Sequence, residues 1–214
     1  MTPSHPTREA ILDAAEQLFA SKGLTATTIK DIGEASRTNT ALLYYHFQDK
    51  EGLYREVLAR MAGGLIQRGL AALRTATSPE EGIRGVVRAQ VAMVAARPAL
   101  PALFVREMIE HGAQRGEDLI HQLAGQLFSG LCQVIEAGQR SGDFRRDIDP
   151  RLAAISTISQ VMYFAVAQPA IRILMRSGGE NTPSLEAFGE HAAEFAVRAL
   201  RADGAWQGLA EVKG

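Results

Sequence analysis

A single cysteine, Cys132, is the whole thiol content of these 214 residues. No disulfide can form within the chain, and a reducing compartment, the cytoplasm, is expected. Charge of either sign is not in excess: the formal net charge is −1, and the first 60 residues hold seven Lys or Arg against eight Asp or Glu. That balance excludes a broadly basic nucleic-acid surface. Any affinity for DNA has to come from local placement of Arg37, His46 and Lys50, and from helix N-termini that face phosphates. The N-terminus carries no apolar signal segment. Sustained period-two alternation is missing, which speaks against strands. Internal repeats are missing too, as are a nucleophile constellation, a cofactor motif and a metal quartet. Only residues 152–171 run uncharged for long enough to span a bilayer. Ser156, Thr157, Ser159, Gln160, Gln168 and Pro169 interrupt that run and arginines flank it, so a buried helix of a soluble bundle, core and interface at once, is expected.

What is present is hydrophobic content of 46%, enough for a globular chain with a substantial core, arranged at helical spacing. A first helix starts near Thr7, buries Ile11, Leu12, Ala15, Leu18 and Phe19, and stops at Gly23. Two short helices follow within residues 28–50. A long helix begins after Asp49 and carries Leu53, Val57, Leu58, Met61 and Leu65 to about Arg74. Ser78-Pro79-Glu80-Glu81 restarts the chain with a cap, a proline at the first helical position and a glutamate at the third. Further helices are expected to about Ala96, over 102–111, and over about 117–140. Asp149-Pro150 opens the uncharged helix, which Pro169 kinks. Thr182-Pro183 starts a last helix carrying Leu185, Phe188, Ala192, Phe195 and Ala199, and a tail follows from Asp203. The fold class is all-α.

Residues 28–50 carry the most chemistry. Thr28 is a good N-cap with Asp31 three positions on, close to a capping box, and Ile29 and Ile32 give that helix an apolar face. Asn39 can cap the second helix, whose Leu43 and Phe47 lie four apart on one side. Tyr44, Tyr45 and His46 are consecutive and bulky, so they cannot all face inward, and Thr40 and Ala41 stand at the leading end. An outward face of small polar groups and hydroxyl-bearing rings suits the major groove of DNA. In Ile32-Gly-Glu-Ala, Ala41-Leu-Leu-Tyr-Tyr-His-Phe47 and Lys50-Glu-Gly-Leu53 the chain resembles the tetracycline-repressor (TetR) family of one-component transcription regulators. Gly33 and Ser36 stand where that family has alanine, Arg37 where it has a turn glycine, Thr38 for valine and Asn39 for serine. Arg37 is therefore a non-glycine residue at a position suited to positive φ.

The resemblance implies a three-helix DNA-binding head with a helix-turn-helix, residues 1–50, and a six-helix body, residues 51–214, that binds an effector and dimerises. It implies phosphate contacts for Tyr44, His46 and Lys50, a flanking phosphate for Thr28, and base edges for Thr40, Ala41 and Tyr45. Arg37 and Asn39 complete the expected DNA-binding set. The expected partners are double-stranded operator DNA, a second copy of the chain through Leu185, Phe188 and Phe195, and a small amphipathic or apolar effector. No cofactor and no membrane is expected. Phe104, Met108, Met162, Tyr163 and Phe164 form an aromatic and thioether set in the body. Core packing is its plain reading, but buried Gln160 and Tyr163 need partners, which an effector in an apolar cavity would supply. Glu107 and His111, one helical turn apart with His121 nearby, read as an ion pair, an effector contact, an acid–base pair or a metal site, though no third ligand stands at a standard metal spacing. An enzyme built on that pair, or a helical adaptor that binds no DNA, are the competing readings.

Overall fold

The computed structural model describes residues 5–112, 125–179 and 181–202. Among them the chain forms nine helices: α1 (His5–Ala26), α2 (Ile29–Ser36), α3 (Thr40–Phe47), α4 (Lys50–Thr75), α5 (Pro79–Ala96), α6 (Leu100–His111), α7 (Gly125–Ser141), α8 (Pro150–Ser177) and α9 (Leu185–Leu200). The all-α expectation holds; one isolated bridge, Phe144 with Arg201, is the extended pairing among the described residues. The chain divides into two compact units, one of Met1–Ile66 with Met93–Gly125, the other of Gln67–Ala92 with Gln126–Gly214.

In the first unit, Ile11, Leu12, Ala15 and Phe19 of α1 are buried as the 3.6-residue period requires. Gly23 ends the regular helix at φ 81°, ψ 168°. The turn that follows is closed by side chains. Thr27 Oγ1 donates to the carbonyls of Gly23 at 2.7 Å and Leu18 at 3.3 Å. Arg106 of α6 donates to the carbonyls of Ala20 and Ser21 at 3.0 and 2.9 Å. These are last-turn carbonyls that the helix itself leaves unpaired. The Tyr54 hydroxyl of α4 donates to buried Glu107 of α6 at 2.8 Å, so α6 is fastened to both α1 and α4.

In the second unit, α9 buries Ala192, Ala193, Ala196, Val197 and Leu200. Gly189 lets the α9 backbone approach Val91 of α5 so closely that a β-carbon there would overlap it. Ser78 caps α5, its hydroxyl accepting from Glu81 N at 3.2 Å. Asp149 caps α8, accepting from Arg151 N at 2.8 Å. Both agree with the sequence. The cap of α9 does not: Ser184, not Thr182, accepts from Ala187 N at 3.1 Å. Glu80 receives Arg201 at 2.7 Å and Arg84 at 3.1 Å, and Arg84 continues to Glu194 at 2.7 Å.

The uncharged helix needs a correction. α8 is long and apolar enough, by length and composition, to cross a membrane, but it is not buried all round. Ala154, Thr157, Val161 and Phe164 face inward, while Leu152, Ile155, Tyr163, Val166, Ile173 and Leu174 are exposed. The expected start of α7 near residue 117 and the tail from Asp203 lie outside the described residues.

Candidate DNA-binding site

The helix pair is built as its sequence dictates. Thr28, in extended backbone, accepts from Asp31 N at 3.1 Å, and the Asp31 carboxylate accepts from Thr28 N at 3.0 Å, a reciprocal capping box. The Thr28 backbone amide, then its hydroxyl, hold the Asp31 carboxyl below the usual carboxylate range. The turn after α2 runs through Arg37 at φ 55°, ψ 38°, the left-handed region the family's glycine predicts. Thr38 N donates to Gly33 O at 2.9 Å, and a β-carbon on Gly33 would sit 3.1 Å from Thr38 O. That close approach accounts for glycine at 33. Asn39 Oδ1 then accepts from Ala41 N at 2.9 Å and starts α3.

Ile32, Leu43 and Phe47 are buried, which fixes the other side of α3 outward. Thr40 and Ala41 are exposed, and Tyr44 and Tyr45 are 55% and 70% exposed. Thr28, Arg37 and Asn39 are exposed as well. Two residues differ from expectation. His46 is half-buried, with its ring edge-on to Tyr45 at 5.2 Å, and its Nε2 is enclosed without a hydrogen-bond partner. Lys50 does not reach outward: Nζ donates to the carbonyls of Leu24 at 2.8 Å, Thr27 at 2.9 Å and Thr25 at 3.5 Å. An ammonium has three donors, and all three are directed into the α1–α2 corner.

A charge network that the sequence reading missed lies in the same unit. Glu16 of α1 is buried and receives Arg60 of α4 at 2.7 Å and Arg97 at 2.6 Å. Arg60 also meets Asp13 at 2.7 Å and Glu9 at 3.1 Å. The signal was present in the sequence: Glu16 lies inside the apolar stripe of Leu12, Ala15 and Phe19, a place where a carboxylate survives only with partners.

The residues expected to meet an effector are drawn from both units. Phe104, Glu107 and Met108 belong to the first unit, and Gln160, Tyr163 and Phe164 to the second. Glu107 is buried and accepts from the Tyr54 hydroxyl at 2.8 Å. Phe164 is buried, its ring stacked on Phe188 at 4.1 Å. Gln160 is half-buried and its amide donates to Ser156 O at 3.2 Å on the same helix. Tyr163, expected to be buried, is 73% exposed, because it sits on α8 opposite the inward row. Phe104 and Met108 are exposed on α6. The His111 side chain and His121 lie outside the described residues. Cys132 is half-buried, and burial raises its thiol above the usual range. A polar hollow of about 430 Å³ opens beside Gln139, Arg146 and Asp149. Its lining, which includes Ile148 and Pro150, shares no residue with the expected effector set.

The comparisons with known proteins agree with this geometry. The family described as bacterial regulatory proteins, tetR family, matches residues 11–57, and the tetracyclin repressor-like C-terminal domain matches residues 79–195. The HTH-type transcriptional repressor KstR2 of Mycolicibacterium smegmatis is 31% identical over 150 residues, 69% of this chain and 73% of that protein. The structure of ketosteroid transcriptional regulator KstR2 of Mycobacterium tuberculosis has a TM-score of 0.74 at 21% identity, covering 94% of this chain and 97% of its own. AibR in complex with isovaleryl coenzyme A and operator DNA has a TM-score of 0.67 at 20% identity, covering 92% and 98%. The first match contains the whole capped helix pair, and the second runs from α5 into α9, so the likeness extends well past a helix-turn-helix that many proteins share. The chain belongs to the TetR family, whose members are DNA-binding transcription regulators and not enzymes.

Proposed function

We propose that this protein is a cytoplasmic homodimeric repressor that binds a palindromic operator and is released from it by a small amphipathic effector. The observation that carries the reading is the outward face of α3, where Thr40, Ala41, Tyr44 and Tyr45 are exposed on a helix fixed by caps at Thr28 and Asn39 and anchored by Leu43 and Phe47. Residues 1–50 read the DNA, and residues 51–214 make the dimer and hold the effector.

Thr40, Ala41 and Tyr45 meet base edges; Tyr44, Thr28, Arg37 and Asn39 hold the backbone on either side. His46 reaches a phosphate by turning its enclosed, unpartnered Nε2 outward. Lys50 leaves this set, because its donors close the α1–α2 corner. The dimer forms through the exposed apolar groups of α8 and α9, Tyr163 and Phe195 among them, with Leu185 at the margin and Phe188 supporting from behind. On α6, Phe104 and Met108 contact the effector. An effector that prefers the state unable to bind DNA lowers DNA affinity by no more than its differential affinity for the two states.

The test is fluorescence anisotropy with the DNA upstream of the chain's own gene. Tyr44→Phe is expected to weaken binding uniformly across sequences. Thr40→Ala and Tyr45→Ala are expected to change sequence preference by roughly 1–3 kcal/mol at single base pairs. Short acyl thioesters of coenzyme A are the first effector panel, since AibR is seen with isovaleryl coenzyme A. Sequence preference that stays the same in both Thr40→Ala and Tyr45→Ala would overturn the assignment of α3.

A further inference from the structure

The leading end of α3 lies close against the backbone of α2. Gly33 is buried in the middle of that eight-residue helix, where glycine is a poor helix former. A β-carbon built on it would stand 3.1 Å from the carbonyl oxygen of Thr38 and 3.4 Å from the methyl group of Thr40. Both distances fall short of the roughly 3.5–4.0 Å of a relaxed non-bonded contact. Any side chain at 33 therefore moves the start of α3 outward by a few tenths of an ångström.

A run of hydroxyl hydrogen bonds holds the same end of α3. Ser36 Oγ donates to Ile32 O at 2.7 Å. A serine hydroxyl has one proton, so in the 2.6 Å contact between the hydroxyls of Ser36 and Thr38 the donor is Thr38 Oγ1. Thr38 N donates to Gly33 O at 2.9 Å. Thr38 is thus tied to α2 by its side chain and by its amide, while its carbonyl oxygen occupies the space that Gly33 leaves open. Two residues on, Thr40 is exposed as the first residue of α3. Ser36 and Thr38 themselves are half-buried.

We infer that Gly33, Ser36 and Thr38 are positioning residues for operator reading: they set how far Thr40 reaches toward the base edges, and touch no base themselves. This rests on the reading of α3 as the recognition helix and adds to it three residues that act through a fourth. Small displacements matter here, because a hydrogen bond to a base edge weakens steeply outside about 2.7–3.2 Å. Gly33→Ala lifts the start of α3 from α2. Thr38→Val keeps the branched shape and removes the donor, and Ser36 Oγ keeps its own bond to Ile32 O. Neither change leaves a buried polar group without a partner.

The experiment selects preferred duplexes from a randomised double-stranded DNA library with the full wild-type chain. Anisotropy then measures each single-base-pair change of the best duplex against Gly33→Ala, Thr38→Val, Thr38→Ser and Thr40→Ala. The first two substitutions are also combined with Thr40→Ala, and far-UV circular dichroism checks every fold. Gly33→Ala and Thr38→Val are expected to cut discrimination at least about fivefold at the base pair that Thr40→Ala identifies. Elsewhere discrimination stays within about twofold, Thr38→Ser behaves as wild type, and both effects vanish in the Thr40→Ala background. A uniform loss of affinity that adds to that of Thr40→Ala would mean a role in turn stability alone and overturn the inference. Unchanged discrimination in Gly33→Ala and Thr38→Val, while Thr40→Ala shifts it, would overturn the positioning role and leave the reading of α3 standing. A wild-type chain that selects no preferred sequence would overturn both.

Discussion

Lys50 illustrates how one side chain changes meaning when its surroundings are known. From the motif it is a phosphate ligand; in the folded chain its ammonium closes the carbonyls of Leu24, Thr25 and Thr27. Lys50→Ala removes hydrogen bonds from a charged group to those carbonyls, a net loss of about 2 kcal/mol in all. Melting is expected to fall by about 4–8 °C, seen by calorimetry, with the salt slope of DNA binding unchanged. A slope reduced by about 0.9 would show instead that Lys50 reaches a phosphate. Arg37 is the reverse case, where the residue departs from its family but the backbone does not. Its φ of 55° is strained for a residue with a β-carbon. Arg37→Gly is expected to raise the melting temperature by up to about 3 °C, while DNA affinity falls with the lost cation. A lower melting temperature would show that the guanidinium, not the backbone, governs that turn.

At the scale of elements, local signals are legible in the sequence and distant partners are not. Caps are local: Thr28, Ser78 and Asp149 act within four residues of themselves, so the sequence places them. Before α9 the expected start at Thr182-Pro183 gives way to a cap at Ser184, because packing decides where the first turn begins. Glu16, Arg60 and Arg97 are 44 and 81 positions apart or less, and no local pattern pairs them. That network fastens α1 to α4 and to the end of α5 inside the first unit. Glu16→Gln leaves two arginines facing a buried neutral amide, and breaking such a pair costs about 3 kcal/mol or more. Melting is expected to fall by at least about 6 °C. Glu9→Gln, an exposed partner of the same Arg60, is expected to cost less than about 1 kcal/mol. Equal losses from the two variants would mean that burial of Glu16 contributes nothing.

The whole molecule joins these elements through long-range ion pairs and apolar faces. Arg201, with Arg84, holds the Glu80 carboxyl down at about 2, tying the start of α5 to the end of α9. A carboxyl whose folded value is depressed adds stability above its unfolded value and loses it as pH falls toward the folded one. Melting temperature is therefore expected to drop between about pH 4.5 and 2, and Glu80→Gln to flatten part of that drop; an unchanged profile would place the acid sensitivity elsewhere. Phe195 is exposed, so Phe195→Asp is expected to give folded monomers by light scattering. A variant as dimeric as wild type would remove α9 from the interface. Phe188→Asp breaks the stack on Phe164 and is expected to cost stability first. The sequence by itself determined the helices, the capped pair at 28–50, the outward Tyr44 and Tyr45, and through them the family. Those follow from periodicity and from caps, whose physics spans a turn or two of chain. The tertiary structure alone decided that Lys50 and Arg106 close the end of α1, that Tyr54 donates to Glu107, and that Tyr163 faces outward. Each depends on which distant element is packed alongside, and a burial pattern of three and four fits either face of a helix apolar on both.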